Sequence, residues 1–331
     1  MSFQKRDLLN HFKALQPVLL ALGAEAFVDP CTFVLRIRFG EARRMFYPQF
    51  LNFAKGLRQY TPSFNADAKR FVGWSPYFNR RWPLASEKLL FKEFAVRHGI
   101  LTPEYSIDPA ATLADVIVKR SVSSFAGAIK GPFKSSSEHK LDAGAGEYFE
   151  RFTRGKIAKI WYWNDQPACL ELEEMPRVRG NGASTVRELI QAKLFQRGRR
   201  RGVDMLQPVL AYFDASLDTV VEKGKHQTVD FRYGSPLITP ALARDVDLEA
   251  DMPVALAPQL RDIGAKLWRG IPEQIRMHTV FTVDAIVDER DRIWALEMNS
   301  NPFIHPYVYP VMLKDLFTAK KPNLAGAALQ T

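Results

Sequence analysis

Near the end of the chain, two apolar runs carry acidic side chains where an ordinary strand would carry none. They are T-V-F-T-V-D-A-I-V-D over 279–288 and I-W-A-L-E-M-N over 293–299, the second running on into S-N-P-F. Only E-R-D-R separates them, so a hairpin is the simplest connection. Pairing Asp288 with Ile293 sets Asp284 opposite Glu297 and Thr282 opposite Asn299. Facing side chains in such a pair lie about 4.5–5.5 Å apart at Cβ. Glu297 and Asn299, two apart, share a face. Facing carboxylates repel unless something neutralises them. A hard divalent cation does so, and carboxylate and amide oxygens without His or Cys favour Mg²⁺ over Zn²⁺, with nucleotide phosphates completing the shell. An exposed face that merely happens to be acidic is the competing reading.

Two upstream pieces carry chemistry of the same kind. Lys119 ends the β-branched run D-V-I-V-K-R-S (115–121) and precedes a Ser/Gly-rich loop whose amides could cradle the phosphate that the lysine reaches. The turn G-N-G (180–182) before S-T-V-R-E-L-I could hold an anion at a helix N-terminus. Either signal alone also fits an ordinary strand end or a capped turn.

The elements that must position these residues are partly legible. A helix is expected over 5–22 and a strand over 33–39, and 71–84, aromatic and Pro-punctuated, reads as connector. A helix follows Ser86 as N-cap and stops at Gly99. Strands are expected over 147–152, 156–163 and 168–178, and helices from the G-N-G turn and over about 255–268, while the rest of 203–275 is hard to read. No internal repeat is visible.

Composition narrows the class. With 331 residues, 47% hydrophobic and 25% charged, the chain suits two or three packed subdomains. Its two cysteines, Cys31 and Cys169, exclude a disulfide framework and a four-cysteine zinc site, and they fit a cytoplasmic location. No run approaches the roughly 18–20 apolar residues that span a bilayer. Lys5-Arg6 and A-E-A at 24–26 imitate a secretory signal, but Asn10, His11, Lys13, Gln16 and Pro17 interrupt it, leaving an amphipathic helix. A net charge of +10 favours anionic partners. The cluster R-G-R-R-R-G (197–202) lacks a nucleic-acid module or aromatic platforms, so nucleic acid is not the expected partner.

The order of the pieces is what identifies them. S-E-K-L-L-F-K-E-F-A-V-R-H-G-I-L-T-P, V-I-V-K-R-S-V-S-S-F-A-G, Y-F-E-R-F-T-R-G, V-R-G-N-G-A-S-T-V-R-E-L-I, V-D-A-I-V-D and L-E-M-N-S-N-P together resemble the ATP-grasp superfamily. The nearest likeness is to carboxylate–amine ligases of the cyanophycin-synthetase and glutathione-synthetase type, across about 86–306. The resemblance implies an α/β (α+β) fold. An N-terminal α/β domain (1–85) would precede an ATP-grasp domain (86–317) whose two α+β subdomains clamp ATP, with a lid at about 107–152 and a tail at 318–331.

The resemblance also implies roles. Lys88 and Lys119 would contact ATP phosphates under the closing 121–128 loop, with Ser123, Ser124 and Gly127 cradling them. Glu150 and the backbone near Phe152 would face adenine, and Asp284, Glu297 and Asn299 would hold one or two Mg²⁺ ions. Some positions depart from the family pattern. Ile157 and Lys159 stand where an acidic residue and an Arg are common, and Glu174 where an Arg is usual. The element preceding the metal strands is unclear, leaving Arg232 in Q-T-V-D-F-R-Y-G-S as the contact to the transferring phosphoryl group.

The implied activity is ATP-dependent amide or peptide bond formation between a carboxylate and an amine through an acyl phosphate, with ADP and phosphate released. The amine would come from an amino acid, a peptide or a protein tail. An ATP-grasp kinase acting on a small anionic substrate and a non-catalytic binder of acidic polymers are the alternatives. His278 and His305, near the metal strands, could touch substrate. A homodimer is the base-rate expectation.

Overall fold

A computed structural model describes residues 5–54, 57–65, 68–122, 129–196, 202–238 and 243–318. Helix α1 (Lys5–Leu22) lies against an antiparallel sheet of β1 (Glu25–Val28), β2 (Leu35–Phe39), β3 (Ala42–Ala54), β4 (Leu57–Thr61) and β5 (Ala68–Ser75). Strand β5 occupies part of the stretch expected to be a connector. Phe71, Val72 and Trp74 are buried, and only Gly73 suits its place: its φ is +117° and a Cβ there would meet Ile304 Cβ at 2.6 Å. The glycine therefore permits close packing within an irregular strand.

Helix α2 (Lys88–Arg97) starts one residue later than its sequence suggests. Glu87 stands at the N-cap with an extended backbone and no capping side chain, while the Ser86 hydroxyl donates to the Trp82 carbonyl at 3.2 Å. At its other end Gly99 has φ +63° and the Ile100 amide donates back to the Ala95 carbonyl, as a glycine-terminated helix should. Next comes a four-stranded antiparallel sheet in the order β6 (Tyr105–Ser106), β9 (Glu147–Arg151), β7 (Ala114–Arg120), β8 (Lys130–Ser135).

A third antiparallel sheet carries the acidic hairpin. It contains β10 (Lys156–Trp163) and β11 (Gln166–Glu173), and the run expected as one strand over 168–178 breaks there at Pro176 into β11 and β12 (Arg177–Arg179). Helices α3 (Val186–Phe195) and α4 (Gln207–Tyr212) and strand β13 (His226–Thr228), which pairs with β12, form an insert. Strand β14 (Ala243–Asp247), helices α5 (Ala257–Arg269) and α6 (Glu273–Arg276), strands β15 (Val280–Val287) and β16 (Ile293–Ser300), and helix α7 (Val308–Thr318) complete the chain. The sheet runs in the order β14-β11-β10-β15-β16.

One face of this sheet buries Ala158, Ile160, Leu170, Val246, Phe281, Val283, Ala285, Ile293, Ala295 and Met298 in a core with Phe91 of α2 and Leu260 of α5. On the other face Trp161, Trp163 and Cys169 join a core shared with α1, α7 and the N-terminal sheet. This division of faces dictates where polar side chains on the five strands must point.

Candidate active site

The hairpin register explains how the carboxylates meet. Val287 pairs with Ile293 and Ala285 with Ala295, one residue out of the expected register, and then a bulge at Leu296 restores it, so that Asp284 faces Glu297 and Thr282 faces Asn299. Without the bulge Glu297 would share the core face of Ile293 and Ala295. The extra residue turns it to the other side, as bulges beside functional sites commonly do. Asn301, one step beyond the strand, has φ +48°. Its amide donates to the Asn79 Oδ1 and to the Arg80 carbonyl, both at 2.6 Å, and its Oδ1 accepts from the Arg80 amide at 2.8 Å. The second asparagine of E-x-N-x-N thus ties the hairpin to residues 79–80.

Register carries the charge across the whole sheet. Asp245, Glu171, Lys159, Asp284 and Glu297 are successive Cα partners on β14, β11, β10, β15 and β16, forming a single row. The Lys159 ammonium lies 2.5 Å from Asp284 Oδ1, and the Asn299 Nδ2 donates to Asp284 Oδ2 at 3.2 Å. Lys88 of α2 closes the row at 3.1 Å from Glu297. Burial works against the Lys159 charge, yet the Asp284 carboxylate outweighs it and holds the ammonium above its ordinary pKa.

Above the row sits a second ionic group. Glu150 is fully buried, with Lys119 2.6 Å from one oxygen and Lys92 2.8 Å from the other. Burial alone would raise the Glu150 pKa, but the two lysines hold it below the usual carboxylate range. Lys92, fully buried, is lowered to about 8 by desolvation, with Glu150 acting in the opposite direction. Its ammonium also donates to the Thr102 hydroxyl at 2.7 Å, which donates to the Ala295 carbonyl at 2.7 Å. Glu297 acts electrostatically on both Lys92 and Lys159, so the two groups form one site. Four lysines against Asp284, Glu297 and Glu150 leave it one charge positive.

Lys88, Lys119, Glu150, Asp284, Glu297 and Asn299 are thus brought together. Lys92 was missed, although its position four residues after Lys88 puts both on one helix face. Lys159, noted only as a departure from a family pattern, is the central cation of the row. Phe152 is buried against Tyr212 and Phe231, with ring centroids 5.2 Å from each, and its amide donates to the Asp115 carbonyl. Arg232 pairs with Asp230 at 2.8 Å and donates to the Ile129 carbonyl at 3.4 Å, at the border of 123–128. Ser123, Ser124 and Gly127 lie in that stretch, outside the described residues.

One expectation needs correction. The G-N-G turn is no anion site: Asn181 Oδ1 already accepts the Ala183 and Ser184 amides, and Thr185 and Glu188 cap each other's amides. His278, next to β15, is a packed neighbour: it stacks on Trp163, with ring centroids 5.9 Å apart. His305 stands 3.5 Å from Asp245, at the opposite end of the row.

The donor set fits a hard cation. No group of three or more His, Cys, Asp or Glu side chains placed to hold a metal occurs among the described residues. Two carboxylates and a carboxamide on adjacent strands are oxygen donors of the type that a hard cation such as Mg²⁺ takes.

No protein-family model and no curated protein matches the chain. Solved structures similar to it include a bifunctional glutathione synthetase from Pasteurella multocida, at 15% identity and TM-score 0.45, over 93% of this chain and 43% of that one. A D-alanine–D-alanine ligase from Bacillus anthracis is similar at 10% identity and TM-score 0.37, over 71% of this chain and 66% of that one. An L-amino acid ligase from Bacillus licheniformis is similar at 11% identity and TM-score 0.34, over 70% of this chain and 44% of that one. The chain thus spans less than half the length of the glutathione synthetase. The mixed α/β build with antiparallel sheets agrees with the α/β (α+β) class expected from the sequence. Among the described residues no helix is long and apolar enough to cross a membrane.

Proposed function

We propose that the protein is an ATP-dependent carboxylate–amine ligase of the ATP-grasp superfamily, acting in the cytoplasm. The observation that carries this reading is the registered pair Asp284–Glu297 with Asn299 beside it, neutralised by Lys159 and Lys88 and adjoined by the buried Lys92–Glu150–Lys119 group. A carboxylate resists attack by an amine because its leaving group would be an oxide. Transfer of the ATP γ-phosphoryl group to a carboxylate oxygen, with ADP leaving, creates an acyl phosphate. The amine nitrogen then bonds to the carbonyl carbon, the C–O bond to phosphate breaks, and the nitrogen gives up a proton.

Asp284, Glu297 and Asn299 would hold Mg²⁺, which supplies charge neutralisation on the phosphates. Lys88 and Lys119 would bind phosphate oxygens, with the buried Lys92 holding Glu150 behind them, and positioning with electrostatics would supply most of the rate. Glu150 pairs with two lysines in a buried place, so we assign it to orienting the phosphate-binding cations as well as bordering the adenine. Arg232 would approach the transferring phosphoryl group from the side of 123–128, where Ser123, Ser124 and Gly127 would close over the phosphates. Two unpaired cysteines, one exposed and one buried, support the cytoplasmic placement.

The test is hydroxylamine trapping. With ATP, Mg²⁺ and a panel of carboxylates, the ligase reading predicts that a hydroxamate and ADP appear together for at least one acid. A stable phosphorylated product without hydroxamate would mean a kinase instead.

A further inference from the structure

We infer that the half of the charged row farthest from Lys88 is a binding subsite for a cationic group, an ammonium or guanidinium, on the amine substrate. Glu171, Glu173 and Asp245 would supply the counter-charge, with the rings of Tyr233 and Tyr307 beside it. The inference rests on the ligase reading and deepens it.

Strand parity sets these groups on the metal-pair face. Glu171 is the register partner of both Lys159 and Asp245, while Glu173 and Asp247 fall on the same face of their strands. Four carboxylates therefore gather on two adjacent strands. Among the described residues their cationic partners are sparse: His305 stands 3.5 Å from Asp245, and Lys159 is committed to Asp284 at 2.5 Å. The whole chain carries +10, so this surface is a local exception to a field that otherwise repels cations.

A buried atom points to a missing partner. Glu173 is only 7% exposed, and its Oε2 has no hydrogen-bond partner. Its same-face neighbour on β10 is Ile157, which offers nothing polar. Burial, with repulsion from Glu171 and Asp245, pushes the Glu173 carboxyl up to about 7. The Gly234 amide serves this carboxyl from the backbone but leaves Oε2 enclosed without a partner, and a bound cation would supply what the fold omits there.

The rings complete a cation site. The Tyr233 hydroxyl donates to Glu171 Oε2, and the Lys159 ammonium lies 4.9 Å from the Tyr233 ring centroid, so that ring already serves one cation. The Tyr307 ring lies 5.0 Å from the His305 ring, whose imidazole stands 3.5 Å from Asp245, and burial, aided by Asp247 and Asp245, raises its phenol. Strands lie about 4.8 Å apart, so Glu171 stands roughly 10 Å from Asp284 and Asp245 roughly 14 Å. The substrate would therefore be an extended amine with a second cationic end, such as a diamine or basic amino acid, whose reacting nitrogen lies at the phosphoryl end.

The probes are 1,5-diaminopentane and 1-aminopentane, titrated calorimetrically at fixed ionic strength into the full chain, wild type, Asp245→Asn and Glu173→Gln. Circular dichroism checks that each variant is folded, and ATP with Mg²⁺ is titrated alongside. The diamine should bind wild type at least 10-fold tighter than the monoamine. Each variant should lose at least 5-fold of diamine affinity while ATP·Mg²⁺ binding is unchanged. Equal binding of the two amines, or diamine binding indifferent to both variants while ATP still binds, overturns the subsite alone. Absence of ATP·Mg²⁺ binding in the wild type overturns the ligase reading, whatever the amines do.

Discussion

One row of charge crosses the five-stranded sheet, and its two ends are neutralised differently. At the β15–β16 end each carboxylate of the facing pair has its own lysine: Lys159 at Asp284 and Lys88 at Glu297. At the β11–β14 end Glu171, Glu173, Asp245 and Asp247 share His305 and hydrogen bonds, and one buried carboxylate oxygen has no partner. The same sheet, register and face thus hold a pair of carboxylates each matched by a lysine and a group of carboxylates short of positive charge. The balanced end suits a ligand that brings both signs, a nucleotide with its cation. The unbalanced end suits a ligand that brings positive charge alone.

The comparison breaks most severely through the balanced end's buried anion. Glu150→Gln leaves Lys92 and Lys119 enclosed without their shared counter-ion, and should cost about 3–5 kcal/mol of stability in urea denaturation. Unchanged stability would show that these lysines do not depend on Glu150. Next comes Asp284→Asn, which removes the central anion between Lys159 and Asn299. ADP-forming turnover should fall by on the order of 100-fold, since even outer partners of metal ligands are worth roughly 10–100-fold.

The other end gives a pH signature. The Glu173 carboxyl, raised from 4.5 to about 7, binds its proton more tightly in the folded chain than in the unfolded one. Its contribution is therefore complete below about pH 4.5 and is lost as pH rises through about 7. Glu173→Gln, which mimics the protonated form, should gain stability relative to wild type between pH 5 and pH 8, by at most about 3 kcal/mol. Urea midpoints at the two pH values measure it, and a constant difference would remove Glu173 from the account.

The smallest effect lies where the small sheet meets the insert. The Tyr212 hydroxyl donates to Asp115 Oδ1 at 2.7 Å and accepts from Arg154 at 3.0 Å, and Lys134 pairs with Asp214 nearby. Tyr212→Phe should cost about 1 kcal/mol and speed hydrogen exchange along β7.

The balanced end was largely legible in sequence, because the facing of Asp284 and Glu297 follows from two short apolar runs and a four-residue turn. Even so, the starting pair was one residue off, and a bulge at Leu296 corrected it. A bulge has no strong sequence signature where, as here, no glycine marks it. The opposite end was illegible for another reason. Glu171 and Glu173 read as the polar half of an alternating strand, and only the crossing of β14 from some 70 residues downstream gathers Asp245 beside them. Strand β5 was hidden by the aromatic and proline content of 71–84, although the missing Cβ of Gly73 makes room there for Ile304. The same local logic misplaced an anion at G-N-G, because Asn181, Thr185 and Glu188 satisfy those amides from within the chain.

The most direct test of the account is calorimetric titration of ATP, with and without Mg²⁺, into wild type and Glu297→Ala. The account predicts micromolar binding that requires Mg²⁺ in the wild type and collapses in the variant. Binding that ignores Mg²⁺, or that survives in Glu297→Ala, would contradict the assignment of the Asp284–Glu297 pair as the metal-holding centre of an ATP-dependent ligase.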